Sequence, residues 1–270
     1  MQKLKKGKIK KTNLYESLSE ERQEILSRLK QHNWFNNSND NIKAELFSLP
    51  EDFDGYLVDL ALRKDEFGNL EILEIEKLGI GYYTVITIFK VRSNLNNEVS
   101  TYEYVSGKYG SNPGYRGILF LEVNNKIRYF ILKRSEKFAF GGEKTFDSLG
   151  GFILYKHGQL ANLPIKVEQE IKRQLGLKNI VIKRFIDLGL MSPDSGMVNT
   201  RVSLFGATMS IDEPEELKKL DNKTITSTKK ISFELLILPI DRLNEYIQKV
   251  DDSYFLACIA RLANVGVVKI

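Results

Sequence analysis

Between Pro164 and Gly176 the hydrophobic pattern is at its most regular. Val167, Ile171 and Leu175 recur at i, i+4 and i+8, which is the apolar stripe of a helix. Pro164 suits the first helical position, where a missing N–H costs nothing, and Gly176 suits the left-handed residue that ends a helix. Glu170, Arg173 and Gln174 stand at i, i+3 and i+4 and so share a second face. Ahead of this helix, Gly150-Gly151 reads as a tight turn followed by a loop.

The rest of the chain is less regular. A helix is predicted over about 18–31, capped by the Ser17/Glu20 pair, with Leu18, Ile25, Leu26 and Leu29 at helical spacing. NWFNNSNDN (33–41) reads as a turn-rich break whose Trp34 and Phe35 anchor the preceding helix to the body. From about 55 to 105 the period moves towards two. YLVDLALR, a DEFGN turn and LEILEIEKL read as a hairpin, and YYTVITIFKV and VSTYEYVS as two further strands. GILFLEV and KIRYFILKR flank an Asn124-Asn125 turn, with Arg134 closing the second strand and SEKFAFGGEKTF following as a loop. VIKRFIDLGLM, RVSLFGATM and ISFELLILPI read as strands, 212–230 as a polar excursion, and the end of the chain as two helices begun by Asp241 and by Asp252 or Ser253.

Strands and helices mix here without strict alternation. The expected class is α+β with a mixed sheet carrying helices on its faces, preceded by an N-terminal helix and a small antiparallel β region. The expected divisions are a lysine-rich flexible tail (1–13), the helix plus β region (14–110) and the main domain (111–270).

Composition narrows the function classes. The net charge of +5 is exceeded by six lysines within the first dozen residues, so the body is near neutral and offers no broad nucleic-acid face. The tail reads as a solvated end, or else as a foot for nucleic acid or an acidic surface; no aromatic interleaves its lysines. One cysteine, Cys258, excludes an intrachain disulfide, and its apolar neighbours make it a small buried hydrophobe. With only His32 and His157 beside it, structural zinc is not expected. No apolar run reaches the ~18 residues of a membrane span, and the basic N-terminus lacks the apolar core of a secretory signal, so a cytoplasmic protein is expected.

The helix and its surroundings resemble the Nudix hydrolase family, whose box is G-x5-E-x7-R-E-U-x-E-E-x-G-U with U apolar. Gln169-Glu170-Ile171-Lys172-Arg173-Gln174-Leu175-Gly176-Leu177 lies over its second half, and Gly150-Gly151 looks like the family's glycine pair. FILKR resembles the strand that ends in arginine. MSPDSGMVNTRVSLFGATM and LPIDRLNEYIQ…DDSYFLACIARLAN resemble the Ser-Pro loop and closing helices of the ADP-ribose pyrophosphatase branch. The resemblance covers about 115–270.

What it implies is an α/β/α Nudix-like sandwich that binds or acts on a nucleoside diphosphate linked to another moiety, such as ADP-ribose. It implies Glu170 as metal ligand and catalytic residue, with Mg²⁺ or Mn²⁺ as cofactor if hydrolysis survives. It implies Arg134, Gly150, Gly151, Arg173, Ser192 and Asp194 around the ligand, and a homodimer through the N-terminal β region. Arg173 and Gln174, however, stand where the family has two further glutamates. A hard dication wants several oxygen ligands, so these replacements count against metal-dependent hydrolysis. Glu136, Glu143, Asp147, Asp194 and Glu234 are the acids that could substitute. The alternative is a nucleotide-sensing or protein-interaction module on the same scaffold.

Overall fold

The structure, a computed structural model, describes residues 19–111, 114–137, 140–152, 163–175, 182–193, 198–210, 223–228 and 231–269. The chain divides into two units, Met1–Gly110 and Ser111–Ile270.

Among the described residues of the first unit, four α-helices precede a four-stranded antiparallel sheet. The helices are α1 (Glu20–Leu29), α2 (Asn33–Asn37), α3 (Asp40–Phe47) and α4 (Asp54–Ala61). The sheet runs β1 (Glu66–Phe67), β2 (Leu70–Ile80), β3 (Thr84–Ser93) and β4 (Val99–Gly107), in that spatial order. Ser19 caps α1, its side chain accepting from the Arg22 N–H at 3.3 Å; the expected capping residue, Ser17, lies outside the described residues. Two expectations are corrected. YLVDLALR is not a strand but α4, because Tyr56, Leu57, Leu60 and Ala61 fall at helical spacing and are all buried. The supposed break 33–41 contains α2 and the start of α3.

Trp34 and Phe35 do anchor this region. Trp34 is fully buried, edge-on to Phe35 and Phe89 and stacked on the His32 ring. The Ser38 hydroxyl ties α2 to the sheet: it donates to the Trp34 carbonyl at 2.7 Å and accepts from the Ile75 N–H at 2.8 Å. Both ends of that link are buried, where an unmet polar group would cost most.

The second unit is built on a mixed sheet. Its strands are β5 (Gly114–Val123), β6 (Lys126–Lys137), β7 (Glu143–Asp147), β8 (Leu149–Phe152), β9 (Ile182–Met191), β10 (Val202–Ser210), β11 (Lys223–Thr228) and β12 (Ile231–Pro239). The order is β11-β12-β6-β5-β10-β9, with β7 on β6 and β8 on β5. Among the described residues only the β5–β10 pairing is parallel. Asn124 and Asn125 form the β5–β6 turn, with φ of 52° and 59°, the left-handed geometry that two-residue hairpins favour. β6 continues past Arg134 to Lys137, and the expected loop after it contains β7. The expected excursion 212–230 contains β11, which pairs with β12.

Both faces of the sheet are covered, so residues 118–121 of the central strand β5 are a continuous apolar run rather than an alternating one. Leu119 and Leu121 of β5 pack with Val167 and Ile171 of α5 (Leu163–Leu175). Ile118 and Phe120 pack on the other face with Leu243 of α6 (Leu243–Ile247) and with Phe255 and Ile259 of α7 (Ser253–Asn264). Cys258 of α7 is fully buried in that second layer. No described helix is long and apolar enough to cross a membrane.

Candidate functional site

Helix α5 buries Val167 and Ile171 against the sheet, and this fixes the direction of its Glu170 face. On that face Arg173 engages both oxygens of the Glu170 carboxylate. Its Nε donates to Oε2 at 2.7 Å, and its Nη2 donates to Oε1. Glu170 is the more buried partner, with 22% of its side chain exposed against 52% for Arg173. The hydrogen bond to Glu170 pushes the Arg173 guanidinium above its already high ordinary range.

Beside the pair lies Tyr115 of β5, buried in the same layer as Val167 and Ile171. Its hydroxyl is pushed well above the ordinary tyrosine range, first by burial and then by the Glu170 charge, with Arg173 opposing. A phenolate in that place would be both poorly solvated and next to a carboxylate.

Gly150 and Gly151 do not form a turn. They lie within β8, paired with Arg116 and Tyr115 of β5. A Cβ on Gly151 would come within 2.7 Å of the Tyr115 hydroxyl oxygen, and one on Gly150 within 2.5 Å of the Tyr115 carbonyl oxygen and 2.6 Å of Arg116 Cδ. These are glycines of close strand approach rather than of backbone reversal.

Among the other expected residues, Arg134 faces Glu234 across the β6–β12 pairing. Its Nε donates to Glu234 Oε2 at 2.7 Å, and Lys144 Nζ reaches Oε1 at 3.1 Å. The Arg134 and Lys144 hydrogen bonds hold the Glu234 carboxyl below the usual range. Arg134 is thus paired with Glu234, not with Glu170. Ser192 follows the end of β9 and is half-buried; Asp194 and His157 lie outside the described residues. Asp147 is buried and engaged by two cations, Lys137 Nζ at 2.5 Å and Lys133 Nζ at 3.9 Å, and accepts from the Ser135 hydroxyl at 3.2 Å. Glu136 and Glu143 are exposed. Among the described residues, no three of His, Cys, Asp and Glu gather into a group able to hold one metal ion.

Two basic residues that the motif reading passed over sit at the centre of the second unit. Arg116 interrupts the start of the apolar run of β5, and Lys133 lies inside FILKR. A charge inside an otherwise apolar strand was the available signal.

No protein-family model matches the chain, and no curated protein matches it. Solved structures do, 83 chains in all. One of them is the crystal structure of an ADP compounds hydrolase, matched with a TM-score of 0.52 at 11% identity over 76% of this chain and 100% of that one. The second unit is 160 of the 270 residues, about 59%, so a match over 76% must reach into the first unit as well. At this identity the likeness carries the fold alone, which is a mixed α+β, Nudix-like arrangement around a mixed sheet.

Proposed function

We propose that the Ser111–Ile270 unit is a binding module for a nucleoside diphosphate linked to a further group, with ADP-ribose as the type compound, and that it works without the three-carboxylate metal chemistry of Nudix hydrolases. The observation that carries this reading is the Glu170–Arg173 pair. A guanidinium forked onto a carboxylate occupies the lone pairs that a divalent cation would need. Replacing one family glutamate by Arg173 and another by Gln174 adds three units of positive charge to the same helix face. Mg²⁺ or Mn²⁺ does not fit this donor set. The positive charge that a metal would bring to a diphosphate is supplied instead by protein cations, Arg173 among them. The likeness to an ADP compounds hydrolase supports the class of ligand.

Calorimetry with ADP-ribose in the presence of EDTA tests the reading. Binding is expected without metal and is expected to weaken at least tenfold in Arg173→Glu. A strict metal requirement for binding, or metal-dependent turnover of ADP-ribose abolished in Glu170→Gln, overturns it.

A further inference from the structure

We propose that His32 is a pH-sensitive clasp within the first unit: as an imidazolium it ties the corner between α1 and α2 to the end of α4, and as a neutral imidazole it loses one of the two ties. His32 sits at that corner, just before α2, and its backbone N–H donates to the Leu29 carbonyl of α1 at 3.1 Å. Its ring reaches two partners distant in sequence. Nδ1 lies 2.6 Å from Asp65 Oδ1, and Nε2 lies 3.0 Å from the Ala61 carbonyl oxygen.

A carboxylate oxygen and a peptide carbonyl oxygen only accept. Both bonds therefore form together only when both ring nitrogens carry hydrogen. A neutral ring has one N–H. With the proton on Nδ1, the bare Nε2 faces the Ala61 oxygen; with the proton on Nε2, the bare Nδ1 faces Asp65. Either way one acceptor meets another at hydrogen-bonding distance, and a tie is lost. The Ala61 carbonyl depends on the ring most. Ala61 is buried and is the last residue of α4, where carbonyls have no partner within the helix.

Two further features favour the charged ring. It stacks on Trp34, with ring centres 4.8 Å and planes 21° apart, and a cation over an indole face is attracted by the ring quadrupole. It also stands at the C-terminus of α4, the negative end of the helix dipole. Among the described residues Asp65 is the charged group that meets the ring. Lys30, at the end of α1, lies 5.6 Å from the Phe47 ring centre, and Arg63, past the end of α4, lies 3.8 Å from that of Tyr104. Lys64 and Glu66, on either side of Asp65, are exposed. With 17% of the His32 side chain exposed, water poorly replaces a lost partner.

The clasp lies in the first unit and stands apart from the nucleotide reading of the second. The chain has one tryptophan and two histidines, so the clasp is readable without a label. An imidazolium stacked on an excited indole quenches it by taking up an electron, and a neutral imidazole does so far less. Trp34 emission of the full-length protein is expected to rise in a single one-proton step as pH goes from about 5.5 to about 8.5. The step is expected to vanish in His32→Gln and to persist in His157→Gln. Because the charged ring holds both ties, stability is fully present at the acid end and falls as pH rises through the step. In urea titrations the folding equilibrium is expected to drop at least about threefold across the step, beyond any change in His32→Gln. If His32→Gln fails to fold, ring-nitrogen NMR of the unaltered protein reads the same event: two protonated nitrogens before the step, one after it. Flat emission, a step that survives in His32→Gln or disappears in His157→Gln, a stability that does not follow the step, or a ring with one proton already at about pH 5.5 overturns the clasp.

Discussion

Arg173 closes on Glu170 one helical turn away and takes both carboxylate oxygens. The pair is half in solvent, so its contribution to stability is small, about 0.3–0.5 kcal/mol as for other helix pairs at this spacing. Its consequence is chemical: the carboxylate best placed for a metal is occupied by a cation from its own helix.

Restoring the acids should restore metal binding. In the double variant Arg173→Glu/Gln174→Glu, three carboxylates share the helix face, and millimolar Mg²⁺ or Mn²⁺ is expected to raise the melting temperature. The unaltered protein is expected to show no such rise. A metal-dependent rise of equal size in both proteins would show that the pair does not block the site.

Lys133 gives the protein a particular pH dependence. Its folded-state value of about 8 lies below the ordinary 10.5, so between these values the unfolded chain holds a proton that the folded one has released. Stability from this group is fully present above about 10.5, falls as pH drops to about 8, and is flat below that. Lys133→Met is therefore expected to stabilise the protein at pH 7 by roughly 1–3 kcal/mol, an advantage that shrinks as pH rises from 8 towards 10.5. Urea titrations of both proteins at pH 7 and pH 10 measure it; an advantage that does not shrink would mean that packing, not charge, is responsible.

Cys258 should be inert in the folded protein. It is fully buried, and burial foremost pushes its thiol up to about 12. A thiolate-selective disulfide reagent at pH 8 should react with it only after unfolding, so the labelling rate in native buffer should be at least a hundredfold below that in urea. Because the folded value is the higher one, this thiol also costs stability as pH rises from the unfolded value near 9 towards 12.

Trp34 tests the core of the first unit. Fully buried between His32, Phe35 and Phe89, it should cost about 3–5 kcal/mol on replacement by alanine. Trp34→Phe, which keeps an aromatic ring, should cost less than half as much. Equal costs from the two changes would argue that the loss is not one of packed volume.

Local patterns were legible wherever neighbours in sequence decide the outcome. The α5 helix is written in Pro164, Val167 and Ile171, and the β5–β6 turn in Asn124-Asn125. The closing helix α7 is written in its Asp252 cap, because period, cap and turn preference act over a few residues. The readings that failed are those that short segments leave ambiguous. YLVDLALR carries enough apolar residues for a strand or a helix. Burial of Tyr56, Leu57, Leu60 and Ala61 together within the first unit's core selects the helix. Gly150-Gly151 carries the composition of a turn, and only the neighbouring Tyr115 and Arg116 make it a strand.

The chemistry divides along the same line. The sequence alone determined that Glu170, Arg173 and Gln174 share a helix face and that two of the three are not acids, because helical spacing requires it. Only the tertiary structure decided which partner each charge takes. Arg134 meets Glu234 a hundred residues away, Asp252 takes the Ser148 N–H and hydroxyl, and Lys133 and Lys137 both turn to Asp147. Those outcomes depend on strand pairing between distant segments, and charge is settled only when burial and neighbours are known.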